Sequence, residues 1–233
     1  MTHIQKYEKH AGKIGGAIKD IVYGANDGII TTFAVVAGVT GAALETKTII
    51  ILGIANLVAD GFSMAASNFL GSRSERELIE SERERELREI DNIPEEEREE
   101  VRQILGRQGY TKEDAGALSA LISKNKAFFA DFMLRYELGL NSKQNGDVFS
   151  AAMTFLAFTF AGLLPLLPFI FYSGENSFLI SAASTTVSLF VVGSLRMLVT
   201  RKNWVISGLE MLFVGGIAAG VAYGIGFAIS RII

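Results

Sequence analysis

The fold is decided by residues 20–70, which read DIVYGANDGIITTFAVVAGVTGAALETKTIIILGIANLVADGFSMAASNFL. Two apolar runs, Asp20–Ala43 and Thr48–Leu70, flank a short polar turn around Leu44–Lys47. Each run is long enough for a helix of about 20 residues, the length that crosses a bilayer. Because so short a turn leaves the two helices antiparallel neighbours, the stretch predicts a membrane hairpin.

Outside this hairpin, the 233-residue chain divides sharply by charge. Residues 71–147 hold 31 charged residues in 77, whereas the other 156 residues hold 16. Three further apolar stretches follow the charged segment, at Val148–Tyr172, Ser177–Val199 and Trp204–Arg231. No segment alternates polar and apolar residues as a strand does. We therefore expect an all-α polytopic membrane protein with five transmembrane helices and a helical cytoplasmic insert between helices two and three.

The distribution of Lys and Arg predicts the orientation, because cytoplasmic loops carry an excess of both. The N-terminal segment carries four lysines, and Arg201 and Lys202 follow the fourth span, whereas the opposite side has Lys47 and Arg231. We expect the C-terminus outside and four regions, namely a cytoplasmic N-terminal tail (1–19), transmembrane helices 1–2 (20–70), the cytoplasmic helical domain (71–147) and transmembrane helices 3–5 (148–233).

Composition excludes several classes of function. The chain has no Cys, hence no disulfide framework and no thiolate metal site. Its two histidines, His3 and His10, lie in the N-terminal tail, so a Ser-His-Asp triad in the body is excluded. A net charge of −3 gives no reason to expect nucleic-acid binding. The first 19 residues are polar and basic, and we expect no cleavable signal peptide.

Ionisable groups inside apolar spans are functional candidates, because they are costly to bury in a membrane. Asp20 and Asp27 lie seven residues apart on one face of the first span, and Asn56, Asp60 and Met64 form a stripe on the second. Carboxylate and amide oxygens with a thioether suit a divalent transition metal. The alternative places both Asp20 and Asp60 near the membrane interface and gives Met64 a packing role. Asp27 has no such simple explanation.

A second set of candidates lies in residues 71–147. Its members are pairs of Glu, or Met and Glu, at helical spacing, a pattern that resembles carboxylate metal sites between packed helices. The same spacing suits a solvated helix stabilised by Glu–Arg pairs, and spacing alone favours that explanation. Ferritin-type oxidase chemistry would need Glu-x-x-His, and no His is present there. The candidates are Glu86, Glu89, Glu97, Glu100, Met133 and Glu137.

Two other patterns are structural. Gly216, Gly220 and Gly224 form a ridge of small residues in the fifth span, the usual surface for close helix packing. Pro165 and Pro168 predict a kink or a broken segment in the third span.

Several of these strings resemble one family. The first-span sequence DIVYGANDG (20–28) followed by TTFAVVAG (31–38), the second-span sequence ADGFSMAAS (59–67), and FMLRYELG (132–139) are similar to signatures of the vacuolar iron transporter family. Members of that family move Fe²⁺, and often Mn²⁺ or other divalent metals, out of the cytosol in exchange for protons, as dimers.

The resemblance implies roles for individual residues. The family's transport-path aspartate falls on Asp27 and its path methionine on Met64, and its cytoplasmic metal ligands fall on the six candidates of residues 71–147. The sequence leaves open which group holds the proton on the return step, and Asp20, Asp60 and Glu210 are the candidates.

We therefore expect a homodimeric, proton-coupled exporter of Fe²⁺ that is not an enzyme, with Mn²⁺, Co²⁺ or Zn²⁺ as further substrates. It would lie in the plasma membrane of a prokaryote or, alternatively, in a vacuolar membrane. The rival functions are a membrane-anchored iron buffer or sensor and a ferroxidase.

Overall fold

The computed structural model describes residues 3–140, 147–172, 174–200 and 203–232, with side chains from residue 18 onward except at 147, 199 and 200. The side chains of His3, Lys6, Lys9, His10 and Lys13 lie outside the described set, as do Arg201 and Lys202 altogether.

Every regular element in the described ranges is a helix, which confirms the all-α prediction. The second predicted span continues into the charged segment as one 47-residue helix. The helices are α1 (His3–Gly41), α2 (Thr46–Asn92), α3 (Pro94–Arg107), α4 (Lys112–Ile122), α5 (Lys126–Tyr136), α6 (Asp147–Gly162), α7 (Leu167–Phe171), α8 (Ser177–Leu195), α9 (Met197–Thr200) and α10 (Trp204–Ile229).

The chain forms two compact units. The membrane unit comprises Met1–Phe69 and Gly146–Ile233, and the charged unit comprises Leu70–Asn145. Four described helices are long and apolar enough to cross a membrane, namely α1 from Ile18, α2, α8 and α10.

The third predicted span differs from the expectation, so the structure supports four continuous spans among the described residues rather than five. Helix α6 ends at Gly162 after 16 residues, fewer than the roughly 20 that a bilayer requires. The break that the sequence predicted falls at the two prolines, because proline has no backbone N–H: Pro165 lies between the helices, and Pro168 lies in the first turn of α7, where that N–H is not needed. The hydroxyl of Ser181 on α8 donates a buried hydrogen bond of 2.6 Å to the Pro165 carbonyl.

Glycines hold the helices of the membrane unit close together. A Cβ atom on Gly24 would lie 2.6 Å from the Thr154 carbonyl oxygen of α6, and Gly226 of α10 rests on the backbone of Gly38 in α1. The predicted ridge has no such contact within the described part of this chain. Nothing in the described chain lies within 4 Å of where Cβ atoms on Gly216, Gly220 and Gly224 would stand.

The charged unit has its own apolar core. Val101, Ile104 and Leu105 of α3 pack with Ala115 of α4 and with Phe129 and Met133 of α5. Helix α4 begins as the sequence predicted, with the Thr111 side chain accepting a hydrogen bond from the Asp114 N–H at 3.2 Å. Arg83 of α2 pairs with Asp131 of α5 at 2.9 Å. The unit therefore holds the predicted glutamates on a packed scaffold.

Candidate functional site

Asp27 of α1 and Asp60 of α2 form a pair of acids in the membrane unit. Both are partly buried, and they lie close enough for their negative charges to repel each other. The neighbouring Asn26 has a buried side-chain oxygen with no hydrogen-bond partner among the described residues. Acids at such positions in apolar helices mark ion or proton pathways.

The other two members of the predicted stripe on α2, Asn56 and Met64, lie in different surroundings. The Asn56 side-chain nitrogen is buried and lacks a partner in the described part of the chain. Met64 packs against a core cluster that includes Val36, Leu57 and Phe158. The Met64 side chain therefore contributes to the packing of this core.

Asp20 does not face the same partners as Asp27, although the two share one face of α1. Its carboxylate accepts a hydrogen bond from the Ser150 hydroxyl of α6. The Ser150 oxygen also lies 3.3 Å from the side-chain oxygen of Asn68, whose amide nitrogen donates to Thr154 at 3.0 Å. Ser150, Asn68 and Thr154 were not among the sequence candidates, because small polar residues are ordinary in membrane helices.

Glu210 of α10 is less secluded than the aspartates. Its side chain is 57% exposed and pairs with Arg196 at 3.3 Å.

Two glutamates of the charged unit are almost fully buried. Glu86 is 4% exposed and Glu97 is 3% exposed, and each has one side-chain oxygen without a hydrogen-bond partner among the described residues. Burial raises the pKa of each carboxyl from 4.5 to about 7, with a further contribution from neighbouring glutamates. An ionised glutamate is therefore costly at either position unless a cation compensates it.

The remaining predicted glutamates surround this pair. Glu89, Glu100 and Glu137 each add to the negative potential that raises the pKa of Glu86 and of Glu97. The pKa of Glu137 is itself raised, first by desolvation and then by Glu100 and Glu89. Glu89 pairs with Arg85 at 3.1 Å. The structure thus brings the five predicted glutamates together, which spacing alone could not establish.

The sixth predicted ligand, Met133, is fully buried in the apolar core of this unit, beside Phe129 and Val101. In the described part of the chain, no three Asp, Glu, His or Cys side chains are arranged so that they could hold a metal ion. The cluster is therefore a set of crowded carboxylates rather than a preformed coordination shell. A cation would have to draw these side chains together as it bound.

Comparison with known proteins gives one consistent result. A model of the VIT family matches residues 18–227. The vacuolar iron transporter of Toxoplasma gondii is 32% identical over 237 residues, covering 97% of this chain and 78% of the relative. The vacuolar iron transporter of Plasmodium falciparum is 34% identical over 225 residues, covering 92% of this chain and 82% of the relative. Vacuolar iron transporter 1 of Oryza sativa subsp. japonica is 30% identical over 230 residues, with 98% and 91% covered.

Proposed function

This chain belongs to the VIT family, and from that premise we propose that it carries Fe²⁺ across a membrane in exchange for protons. Its relatives are named as iron transporters, which supports metal transport and agrees with the expectation that the chain is not an enzyme. The apolar helices and these relatives make it a multi-pass membrane protein. Mn²⁺, Co²⁺ and Zn²⁺ are further proposed substrates, because oxygen and thioether donors accept all of them.

The proposed topology has five crossings, with α6 and α7 together forming a broken third one. The N-terminus and the charged unit lie in the cytoplasm, as the excess of lysine in the N-terminal segment favours. Transport then runs out of the cytosol, across a plasma membrane or into a vacuole. We further propose that two copies of the chain form the working transporter.

The observation that carries this proposal is the pair of acids formed by Asp27 and Asp60. Two mutually repelling carboxylates between apolar helices are expensive, which is why acids inside membrane segments mark ion or proton pathways. Asp27 would bind either the metal or a proton. Because the two cations compete for one carboxylate, loading one from each side produces exchange.

The glutamates of the charged unit would collect the metal on the cytoplasmic side. Glu86 and Glu97 are buried, and each has an oxygen without a hydrogen-bond partner among the described residues. A divalent cation would supply the positive charge that compensates the ionised carboxylates. Glu89, Glu100 and Glu137 provide further oxygen donors, and Met133 would join them as a soft donor if α5 shifts. This cluster lies outside the membrane unit and would load or regulate the pathway rather than gate it.

Metal uptake into proteoliposomes with an imposed pH gradient tests the function. We expect Fe²⁺ flux that depends on the gradient and is absent from protein-free vesicles, with Mn²⁺, Co²⁺ and Zn²⁺ compared in parallel. Flux that ignores the gradient would remove proton coupling from the proposal. Metal binding without any flux would favour the membrane-anchored buffer or sensor, and oxygen consumption on addition of Fe²⁺ would favour the ferroxidase.

The role of the charged unit has a matched test. Replacing both Glu86 and Glu97 by Gln should remove most metal binding and slow flux without eliminating it. Replacing both Glu84 and Glu99 by Gln removes the same number of carboxyl groups at exposed positions paired with arginines, and should leave binding and flux unchanged. Equal effects of the two double substitutions would assign the loss to net charge rather than to this cluster.

A further inference from the structure

A hydrogen-bonded group of side chains joins three helices at one end of the membrane unit. Asp20 comes from α1, Asn68 from α2, and Ser150 and Thr154 from α6. Thr154 is almost fully buried, and the other three are partly buried. Since hydrogen bonds between side chains of different membrane helices hold those helices in register, the group has a defined geometry.

The orientation of the Asn68 amide follows from Thr154. The Thr154 hydroxyl donates its single hydrogen to the Ser150 carbonyl at 3.0 Å, so its oxygen is left to accept. The Asn68 nitrogen must then be the group that lies 3.0 Å from this oxygen. The Asn68 oxygen is thereby directed toward the Ser150 hydroxyl, 3.3 Å away.

In this orientation, the group has more hydrogen-bond acceptors than hydrogens available for donation. The Ser150 hydroxyl has one hydrogen, and both the Asp20 carboxylate and the Asn68 oxygen face it. When that hydrogen goes to Asp20, the oxygens of Ser150 and Asn68 face each other with no hydrogen between them. A bound cation corrects such a shortage, because each of the three oxygens can donate electrons to it.

We propose that Asp20, Asn68 and Ser150 form a binding site for the transported divalent metal. The inference rests on the proposed function and adds two ligands, Asn68 and Ser150, together with Thr154 as a positioning residue. When the metal binds, the Ser150 hydrogen turns away and its oxygen becomes a ligand. One carboxylate among neutral oxygens gives a weak site with water completing the coordination, which suits a metal that must move on.

The site lies near the beginning of the apolar segments of α1 and α6, since Asp20 is two residues past Ile18 and Ser150 is three residues past Asp147. In the proposed topology this is the cytoplasmic end, ahead of Asp27 on the same helix face. The metal would therefore occupy this site before it reaches the pair formed by Asp27 and Asp60.

Two substitutions with opposite expected effects test the site in the full-length protein. Ser150→Ala removes a ligand and should raise the KM for Mn²⁺ flux about tenfold, a loss typical of altered metal surroundings. Asn68→Asp gives up the hydrogen bond that the Asn68 amide donates to Thr154 but adds a second carboxylate to the site, and should lower the KM. Mn²⁺ binding to the protein in nanodiscs, followed by electron paramagnetic resonance, should change in the same directions. The Glu86→Gln, Glu89→Gln, Glu97→Gln, Glu100→Gln background reduces binding elsewhere.

The positioning role of Thr154 has its own readout. Thr154→Val should raise the KM with little change in maximal flux, and Thr154→Ser should restore it because the hydroxyl returns. Ser188→Ala is the matched control, since that hydroxyl donates within α8 to the Ser184 carbonyl at 2.8 Å. It should leave the KM unchanged.

The outcomes separate this inference from the proposed function. Wild-type flux with unchanged KM and unchanged Mn²⁺ affinity in Ser150→Ala and Asn68→Asp overturns the site and leaves the transporter standing. Absence of flux from wild-type vesicles overturns the proposed function, while the resonance measurement still decides whether these residues bind metal.

Discussion

Gly28 of α1 rests directly on the backbone of α6 at Phe158, with no space between them for a methyl group. The neighbour is a backbone carbonyl rather than the end of a flexible side chain, so a rotamer change cannot make room. This contact holds the helix that carries Asp27 against the helix that carries Ser150. The next residue in the chain after Asp27 thus fixes how closely the two helices approach.

We predict that Gly28→Ala destabilises the protein by about 1–3 kcal/mol, the usual cost of overpacking a close contact. The measurement is thermal unfolding of the detergent-solubilised protein, followed by intrinsic fluorescence. Gly216→Ala is the control, because a Cβ atom there meets nothing within 4 Å and alanine favours the helix. Equal melting temperatures for Gly28→Ala and the wild type would show that α1 and α6 can separate without cost.

The fold was predictable where a local signal was strong. Apolar runs bounded by polar turns located α1, α2, α8 and α10, and Pro94 and Thr111 marked the starts of α3 and α4. The glycine ridge on α10, with its four-residue spacing, meets no other described helix of the same chain, so it did not predict how α10 packs within the chain. Tertiary packing decided which face is used, and it selected Gly226 against Gly38.

The sequence predicted the part of the candidate site where an acidic residue interrupts an apolar run. Asp27 stood out inside an apolar span, and the resemblance identified the glutamates that the structure brings together. Their burial was not predictable, since it depends on how α2, α3 and α5 pack. Ser150 and Asn68 gave no signal, because a serine or an asparagine in a membrane helix acquires meaning only from its neighbours on other helices.

We predict that Asp27→Asn abolishes transport while the protein stays folded. The substitution keeps size and polarity and removes the charge, so neither a metal nor an exchangeable proton is held. Flux into liposomes measures the loss, and the elution volume in gel filtration checks the fold. Glu45→Gln, at an exposed carboxylate between α1 and α2, should transport normally. Near wild-type flux in Asp27→Asn would mean that coupling resides in another group.

We predict that Met64→Leu distinguishes a ligand from a packing residue. Leucine fills a similar volume in the cluster around Phe158, so the core should survive the change. Loss of the thioether should then reduce flux more for Co²⁺ and Zn²⁺ than for Mn²⁺, because the harder cation depends less on sulfur. Flux of the three metals, measured with one vesicle preparation, gives the comparison. A uniform reduction would assign Met64 to packing alone.

We predict that the metal-free charged unit becomes less stable as the pH rises. Glu86 and Glu97 have a pKa of about 7 in the fold against an ordinary 4.5, so the folded state binds more protons than the unfolded state. Their contribution to stability is complete below about pH 4.5 and is lost as the pH passes about 7. Hydrogen exchange of α3 in the full-length protein, corrected for intrinsic exchange, should be faster at high pH. Replacing both residues by Gln should remove this trend.

The same two glutamates predict how metal binding depends on pH. A divalent cation binds the ionised carboxylates, so affinity should rise with pH through the window centred near the pKa of about 7. Calorimetric titration of the full-length protein with Mn²⁺ at several pH values measures it, and buffers of different ionisation enthalpy count the protons released. We expect proton release near pH 6 that shrinks as the pH passes 7, since the carboxyls are then already ionised. Binding with no proton release at pH 6 would contradict a site built on Glu86 and Glu97. The metal would then be held by the more exposed glutamates alone.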